Sequence, residues 1–284
     1  MKHFFQVKNY SLERTLLSGQ AFRWNKLGSK YVGVVGNSVV KVEGTPAGLS
    51  VDVIEGEISR DLLSHYLAID EDYEKVLAEI SEDINVKKTL EDFSGYRILR
   101  QEPYEMLISF IDSANNSIRN IRGQIEKMSK LWGEEIGDSY YSFPRPEVLA
   151  GLTEKEIMKA GVGFRGKYII SAAKCVADSN FLDSLNDLES QAAHEELTGL
   201  YGVGDKIADC VLLFAYNRLE RVPIDVWTKR IFGQIYGIDC STKYSEQQSC
   251  AQGIHKKYAG YAFSFLFEAA RAGNLLGGSP EENF

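Results

Sequence analysis

The hydrophobic period of this chain changes once, and that change limits the folds open to it. Up to about residue 53, apolar positions come in short β-branched runs: 30–35 (KYVGVV), 38–43 (SVVKVE) and 49–54 (LSVDVI). Gly28, Gly36-Asn37 and Pro46-Ala47-Gly48 separate them, a pattern that predicts an antiparallel sheet. One short helix is expected at 11–17, with Ser11 as N-cap and Arg14 where a capping box has Glu. From about Ile58 the 3.6-residue period takes over. It predicts helices at 60–67, 73–80, 103–115, 117–132, 145–150, 154–160, 165–178, 191–198, 205–216, 226–236, 245–250 and 259–272. The expected fold is α+β: an antiparallel sheet region with flanking helices over 1–95, then a large all-helical domain over 96–284. The tail from Leu276 is expected to fray.

Composition narrows the class. A chain of 284 residues, 44% hydrophobic and 25% charged, has the make-up of a globular protein. No apolar run reaches the roughly 18–20 residues of a membrane span, and the N-terminus breaks into charge too early for a signal peptide. Cys175, Cys210, Cys240 and Cys250 form neither a disulfide framework nor a CxxC pair. The expectation is a monomer with reduced thiols and no membrane partner, cytoplasmic, and nucleoid-associated if prokaryotic. The net charge of −8 is misleading as a guide to partners. Residues 52–92 alone carry −9, which leaves the rest of the chain at +1. Residues 117–130 and 157–174 are locally basic, and screening makes local sign decisive for docking a polyanion.

The most informative segment is Leu200-Tyr-Gly-Val-Gly-Asp-Lys-Ile-Ala-Asp-Cys-Val. One helix ends, Gly202-Val203-Gly204 turns the chain, and a second helix begins at Asp205. Its unpaired N–H groups and positive dipole end suit a phosphate. A plain helix–helix turn would also explain the glycines. Lys206 is harder to explain that way, because a cation in the first helical turn costs roughly 0.3–1 kcal/mol. It reads as a nucleophilic amine or as a phosphate-binding lysine. Nineteen residues on, Asp225 in Arg221-Val-Pro-Ile-Asp-Val-Trp is placed to N-cap the helix from Val226. A structural cap accounts for Asp225 alone. Taken with Lys206, it describes an amine and a carboxylate facing one electrophile.

Residues 200–230 resemble the helix-hairpin-helix, Gly/Pro-Asp DNA glycosylase superfamily, and four further segments resemble its 8-oxoguanine DNA glycosylase family. These are Ser18-Gly-Gln-Ala-Phe-Arg-Trp24 (SGQ-x-FRW), Phe110-Ile-Asp-Ser-Ala-Asn-Asn-Ser-Ile, Gly161-Val-Gly-Phe-Arg-Gly-Lys-Tyr and Ala259-Gly-Tyr-Ala-Phe-Ser-Phe-Leu-Phe267. The resemblance implies a bifunctional glycosylase/AP lyase acting on 8-oxoguanine in double-stranded DNA, with the lesion flipped out of the stack. Lys206 would attack the anomeric carbon, expel the base as a Schiff base forms, and nick the strand by β-elimination. Asp225 would stabilise the cationic sugar. The base would lie between Phe267 and the Cys210 side, and the Gly19 carbonyl would accept the N7–H that guanine lacks. Asn115, Arg165 and the aromatic wedge Phe164 would meet the strand around the gap, and Gly202, Val203 and Gly204 the phosphates. A monovalent cation at the carbonyls of Thr198, Leu200 and Val203 is implied as a structural ion. No other cofactor is expected, and the cysteines are too few and wrongly spaced for an iron–sulfur cluster.

Three departures stand out. Asn120 replaces the arginine that reads the orphaned cytosine in eukaryotic members, Phe263 a glutamine on the lesion's pairing edge, and Trp227 a histidine two residues after the aspartate. The alternatives are a non-catalytic helix-hairpin-helix DNA-binding protein, which leaves Asp225 and SGQ-x-FRW unexplained, or a glycosylase for another damaged base.

Overall fold

The computed structural model describes residues 1–275, so the tail from Leu276 lies outside the described residues. Five antiparallel strands form one sheet in the order β1-β5-β4-β3-β2: β1 (Lys2–Gln6), β2 (Trp24–Leu27), β3 (Lys30–Val35), β4 (Ser38–Thr45) and β5 (Gly48–Glu55). Helix α1 (Leu12–Leu17) lies between β1 and β2, and the Ser11 hydroxyl caps it by accepting from Arg14 N–H. Gly33 shows why one position in a β-branched run carries no side chain. It pairs with Trp24, and a Cβ there would stand 2.4 Å from the indole. The indole is 1% exposed and donates to the Tyr66 hydroxyl at 2.9 Å, which fixes the end of the SGQ-x-FRW segment.

The helices are α2 (Arg60–Tyr66), α3 (Tyr73–Ile80), α4 (Ile84–Phe93), α5 (Pro103–Asp112), α6 (Ile118–Trp132), α7 (Pro146–Ala150), α8 (Glu154–Ile157), α9 (Gly166–Asp178), α10 (Phe181–Ser184), α11 (Ser190–Thr198), α12 (Asp205–Phe214), α13 (Val226–Ile231), α14 (Tyr244–His255) and α15 (Ala259–Arg271). A two-strand hairpin of β6 (Glu135–Gly137) and β7 (Tyr140–Tyr141) follows α6. The α+β architecture is as expected, with differences at the ends of elements. The helix expected over 226–236 is α-helical only to Ile231 and continues as a π-turn over Phe232–Tyr236. The helix expected over 103–115 stops at Asp112, where Ser113 closes it and Asn115 takes a φ of 51°. Helices α4 and α10 have no counterpart in the periodicity reading.

Two cores part near residue 70. The sheet, α1 and α2 share one; α3 and α4, grouped by sequence with the sheet, pack in the helical core through Tyr73, Val76, Ile80, Val86 and Phe93. Gln20 ties the two halves together. Its amide donates to Thr15 O and Arg97 O, both at 2.8 Å, and its carbonyl accepts Leu99 N–H at 2.9 Å. A buried amide with this many matched partners holds the neighbouring Gly19 in one place. Among the described residues no helix is long and apolar enough to cross a membrane.

Candidate active site

A cleft of about 1050 Å³ opens where the SGQ segment, the 113–118 turn, α12, the 222–225 loop and α15 converge. Lys206, Asp225, Gly19, Cys210, Phe263, Phe267, Asn115, Asn120, Gly204 and Trp227 all border it. Of the expected site residues, Phe164, Arg165, Thr198, Leu200, Gly202 and Val203 do not.

The hairpin delivers Lys206. Gly202 has a φ of +87°, and a Cβ there would meet the Tyr168 ring at 2.2 Å, so only glycine fits the turn. Val203 is 5% exposed and anchors the turn in the helical core. Gly204 is extended, and no side chain caps α12. The N–H groups of the first turn are left to an external acceptor. The Lys206 ammonium donates to Ser113 Oγ at 3.3 Å and lies 5.5 Å from the Phe110 ring centroid. Ser113 in turn donates to Phe110 O at 2.7 Å, so a residue given no role in the sequence reading orients the amine.

Asp225 is half-buried at the start of α13, where Oδ1 accepts Thr228 N–H at 2.9 Å. The cap is therefore real, and it leaves Oδ2 free of any hydrogen bond within the described residues. On the far wall Phe263 is 3% exposed and sits edge-on to Phe232 at 5.0 Å and to His255 at 5.6 Å. Phe267 is half-buried at the cleft. Cys210 is 2% exposed, and burial pushes its thiol up to about 12, against the lowering influence of Lys206, so it presents a neutral, polarizable sulfur. Gly19 has a φ of +99°, and a Cβ there would stand 2.5 Å from Ile118 Cδ1.

Arg165 has partners within the chain that the motif does not announce. Its guanidinium donates to Ala114 O at 2.7 Å, Asn115 O at 2.8 Å and Val162 O at 3.2 Å, and the residue is 7% exposed. It braces the Asn115 turn against the 3₁₀ turn Gly163–Arg165. The Phe164 ring stands on that turn, 57% exposed and 4.7 Å from the guanidinium carbon. Sequence spacing could not reveal that the motif's arginine serves the turn. Asn120 is exposed in the first turn of α6, and Trp227 lies beside Arg230 at 5.1 Å.

Asp112 ends α5 directly before Ser113. It is wholly buried, and neither carboxyl oxygen has a hydrogen-bond partner. Burial pushes it up to about 7, with Arg165 pulling the other way. The unfolded carboxyl titrates near 4. Between pH 4 and 7 the folded chain therefore holds the extra proton, and stability falls as pH rises. Asp112→Asn is expected to raise stability at pH 8 by about 1–3 kcal/mol, since a buried unsatisfied charge is removed. Thermal melts from pH 5 to 8 check this: the wild-type Tm should decline more steeply with pH than the variant's.

Two family descriptions match the chain: 8-oxoguanine DNA glycosylase, N-terminal domain, over residues 3–107, and HhH-GPD superfamily base excision DNA repair protein over residues 108–255. The N-glycosylase/DNA lyase OGG1 of Arabidopsis thaliana is 32% identical over 91% of this chain and 77% of its own. A probable N-glycosylase/DNA lyase of Methanothermobacter thermautotrophicus is 27% identical over 95% and 96%. Among solved structures, the Clostridium acetobutylicum 8-oxoguanine glycosylase/lyase with dsDNA containing cytosine opposite 8-oxoG superposes with a TM-score of 0.86. That match has 30% identity over 95% of this chain and 99% of that one. MBOgg1 in complex with a low affinity DNA ligand gives a TM-score of 0.86 at 34% identity over 92% of both.

Proposed function

Because the chain belongs to the 8-oxoguanine DNA glycosylase family of the HhH-GPD superfamily, we propose that Lys206 and Asp225 perform glycosylase and AP lyase chemistry on 8-oxoguanine in duplex DNA. The observation that carries this reading is that an amine and a carboxylate, each at a helix start, border one nucleotide-sized cleft. The Lys206 amine attacks C1′ of the flipped nucleotide, the N-glycosidic bond breaks, and the base departs with the bonding pair. Asp225 faces the positive charge that develops on the sugar. Loss of the amine proton and ring opening give the Schiff base, and removal of a C2′ proton then breaks the C3′–O bond. Phe267 and Cys210 flank the base, and the Gly19 carbonyl selects the N7–H. Asn115 and Phe164 occupy the gap, and the open N–H groups at Gly204 bind phosphate.

The carbonyls of Thr198 and Val203 accept no backbone hydrogen bond in the turn, and that of Leu200 accepts one from Val203 N–H. Neutral carbonyl oxygens with lone pairs to spare are the donor type a monovalent cation takes, and an ion held there would stiffen the hairpin and take no part in bond breaking.

Borohydride trapping tests the reading. The protein should crosslink to an 8-oxoguanine duplex and not to an undamaged one. Absence of a trapped species would favour a binding module. Opposite-base preference should be relaxed, because Asn120 lacks the bidentate guanidinium, a contact worth about 1–3 kcal/mol. Single-turnover excision opposite A, G and T is expected within about 10-fold of that opposite C. A strict preference for C refutes it.

A further inference from the structure

Lys206 opens α12 and Asp225 ends the 221–225 loop, so their separation depends on what ties that loop to that helix. Asp209 is the tie. It lies three residues after Lys206 on α12 and is completely buried. Its Oδ1 accepts Arg221 Nε at 2.6 Å, and Oδ2 accepts the Tyr244 hydroxyl at 2.6 Å and the Gln248 amide. The same two side chains hold the loop backbone. Tyr244 Oη accepts Ile224 N–H at 3.2 Å, Gln248 Oε1 accepts Val222 N–H at 3.3 Å, and Gln248 Nε2 donates to Val222 O at 2.6 Å. One carboxylate thereby fixes the peptides directly before Asp225.

His194 of α11 joins this hub. Its Nδ1 lies 2.9 Å from Asp209 Oδ1 and 2.6 Å from Arg221 Nη2, and its Nε2 lies 3.1 Å from Asp205 Oδ1. One nitrogen cannot serve both neighbours at once. Protonated, Nδ1 donates to Asp209; unprotonated, its lone pair accepts from Arg221. The groups facing the ring are Asp205 and Asp209 from α12, Arg221 from the loop and the Tyr244 ring, stacked at 6.1 Å, from α14. Burial opposes the charged ring, but the hydrogen bonds to Asp209 and Asp205 and the Asp209 charge outweigh it, so the imidazole holds its proton above its ordinary range.

Resting on Lys206 and Asp225 as the reacting pair, we propose that Asp209 is a positioning residue that sets their separation, and that His194 makes the setting depend on one proton. Tyr244→Phe removes the hydroxyl link without changing charge. His194→Gln removes the titrating ring and keeps a polar side chain. Single-turnover excision and duplex Kd are measured for wild type and both variants from pH 6 to 9, with borohydride trapping of the wild type alongside. Tyr244→Phe is expected to slow excision about 10-fold with Kd within about 2-fold, since sub-ångström displacement of reacting groups acts on rate. The ratio of wild-type to His194→Gln rates should be about 10 near pH 6.5 and approach one by pH 9. Taking a ratio cancels any pH dependence that the two proteins share. A pH-independent ratio, unchanged rates, or losses in Kd and Tm that match the loss in rate overturn the proposal. In those cases a trapped wild type leaves the reaction assignment standing, whereas an untrapped wild type removes both.

Discussion

Lys206→Gln is expected to lower 8-oxoguanine excision by at least about 10⁴-fold and to abolish borohydride trapping, the usual scale for loss of a covalent nucleophile. Glutamine has nearly the length of lysine, and its amide can still donate to Ser113 Oγ, but it cannot form an iminium. The fold should be unaffected or slightly more stable, because a cation leaves the first turn of α12, a relief of roughly 0.3–1 kcal/mol. Duplex affinity should stay within about 3-fold, since the turn N–H groups and the exposed Phe164 are untouched. Lys229→Gln is the control. Lys229 also borders the cleft, yet its side chain is exposed in the last turn of α13, and its loss should leave trapping intact. Trapping through Lys206→Gln would move the nucleophile elsewhere.

Asp225→Asn is expected to slow excision by about 10²–10³-fold, the range found when one preorganised electrostatic partner of a transition state is removed. Asparagine caps helices about as well as aspartate. The bond to Thr228 N–H therefore survives, and Tm should hardly move. Asp225→Ala should lose the cap as well, lowering stability by about 1 kcal/mol. Comparing rates and melts for the two variants separates the cap from the charge. Equal rates for wild type and Asp225→Asn would reduce Asp225 to its structural role.

The parts of this site that could be read from sequence are those encoded in short segments. The glycine turn, Lys206 in a first turn where a cation is unwelcome, and Asp225 ahead of α13 each carry a local signal, and Gly204, Lys206 and Asp225 border one cleft. Helix α4 escaped because its apolar residues Ile84, Val86, Leu90 and Phe93 are diluted by Lys87-Lys88 and Glu91-Asp92; contact with the helical core, not local pattern, sustains it. The Asp209 hub escaped for a different reason. His194, Arg221, Tyr244 and Gln248 come from separate elements and meet only in the folded chain. The carbonyl partners of Arg165 escaped as well, because they lie some 50 residues away in sequence or in the turn before it. Nothing in one dimension distinguishes a guanidinium aimed at a phosphate from one aimed at its own chain's carbonyls.

That inward-facing guanidinium has a consequence for how a damaged site is found among many sound ones. With three carbonyls already holding the turn beneath Phe164, the ring proposed above as a wedge stands on a turn that is braced within the chain itself. For a wedge held in this way, the barrier to entry would lie chiefly in the duplex, and steps whose bases adhere poorly to their neighbours should yield first.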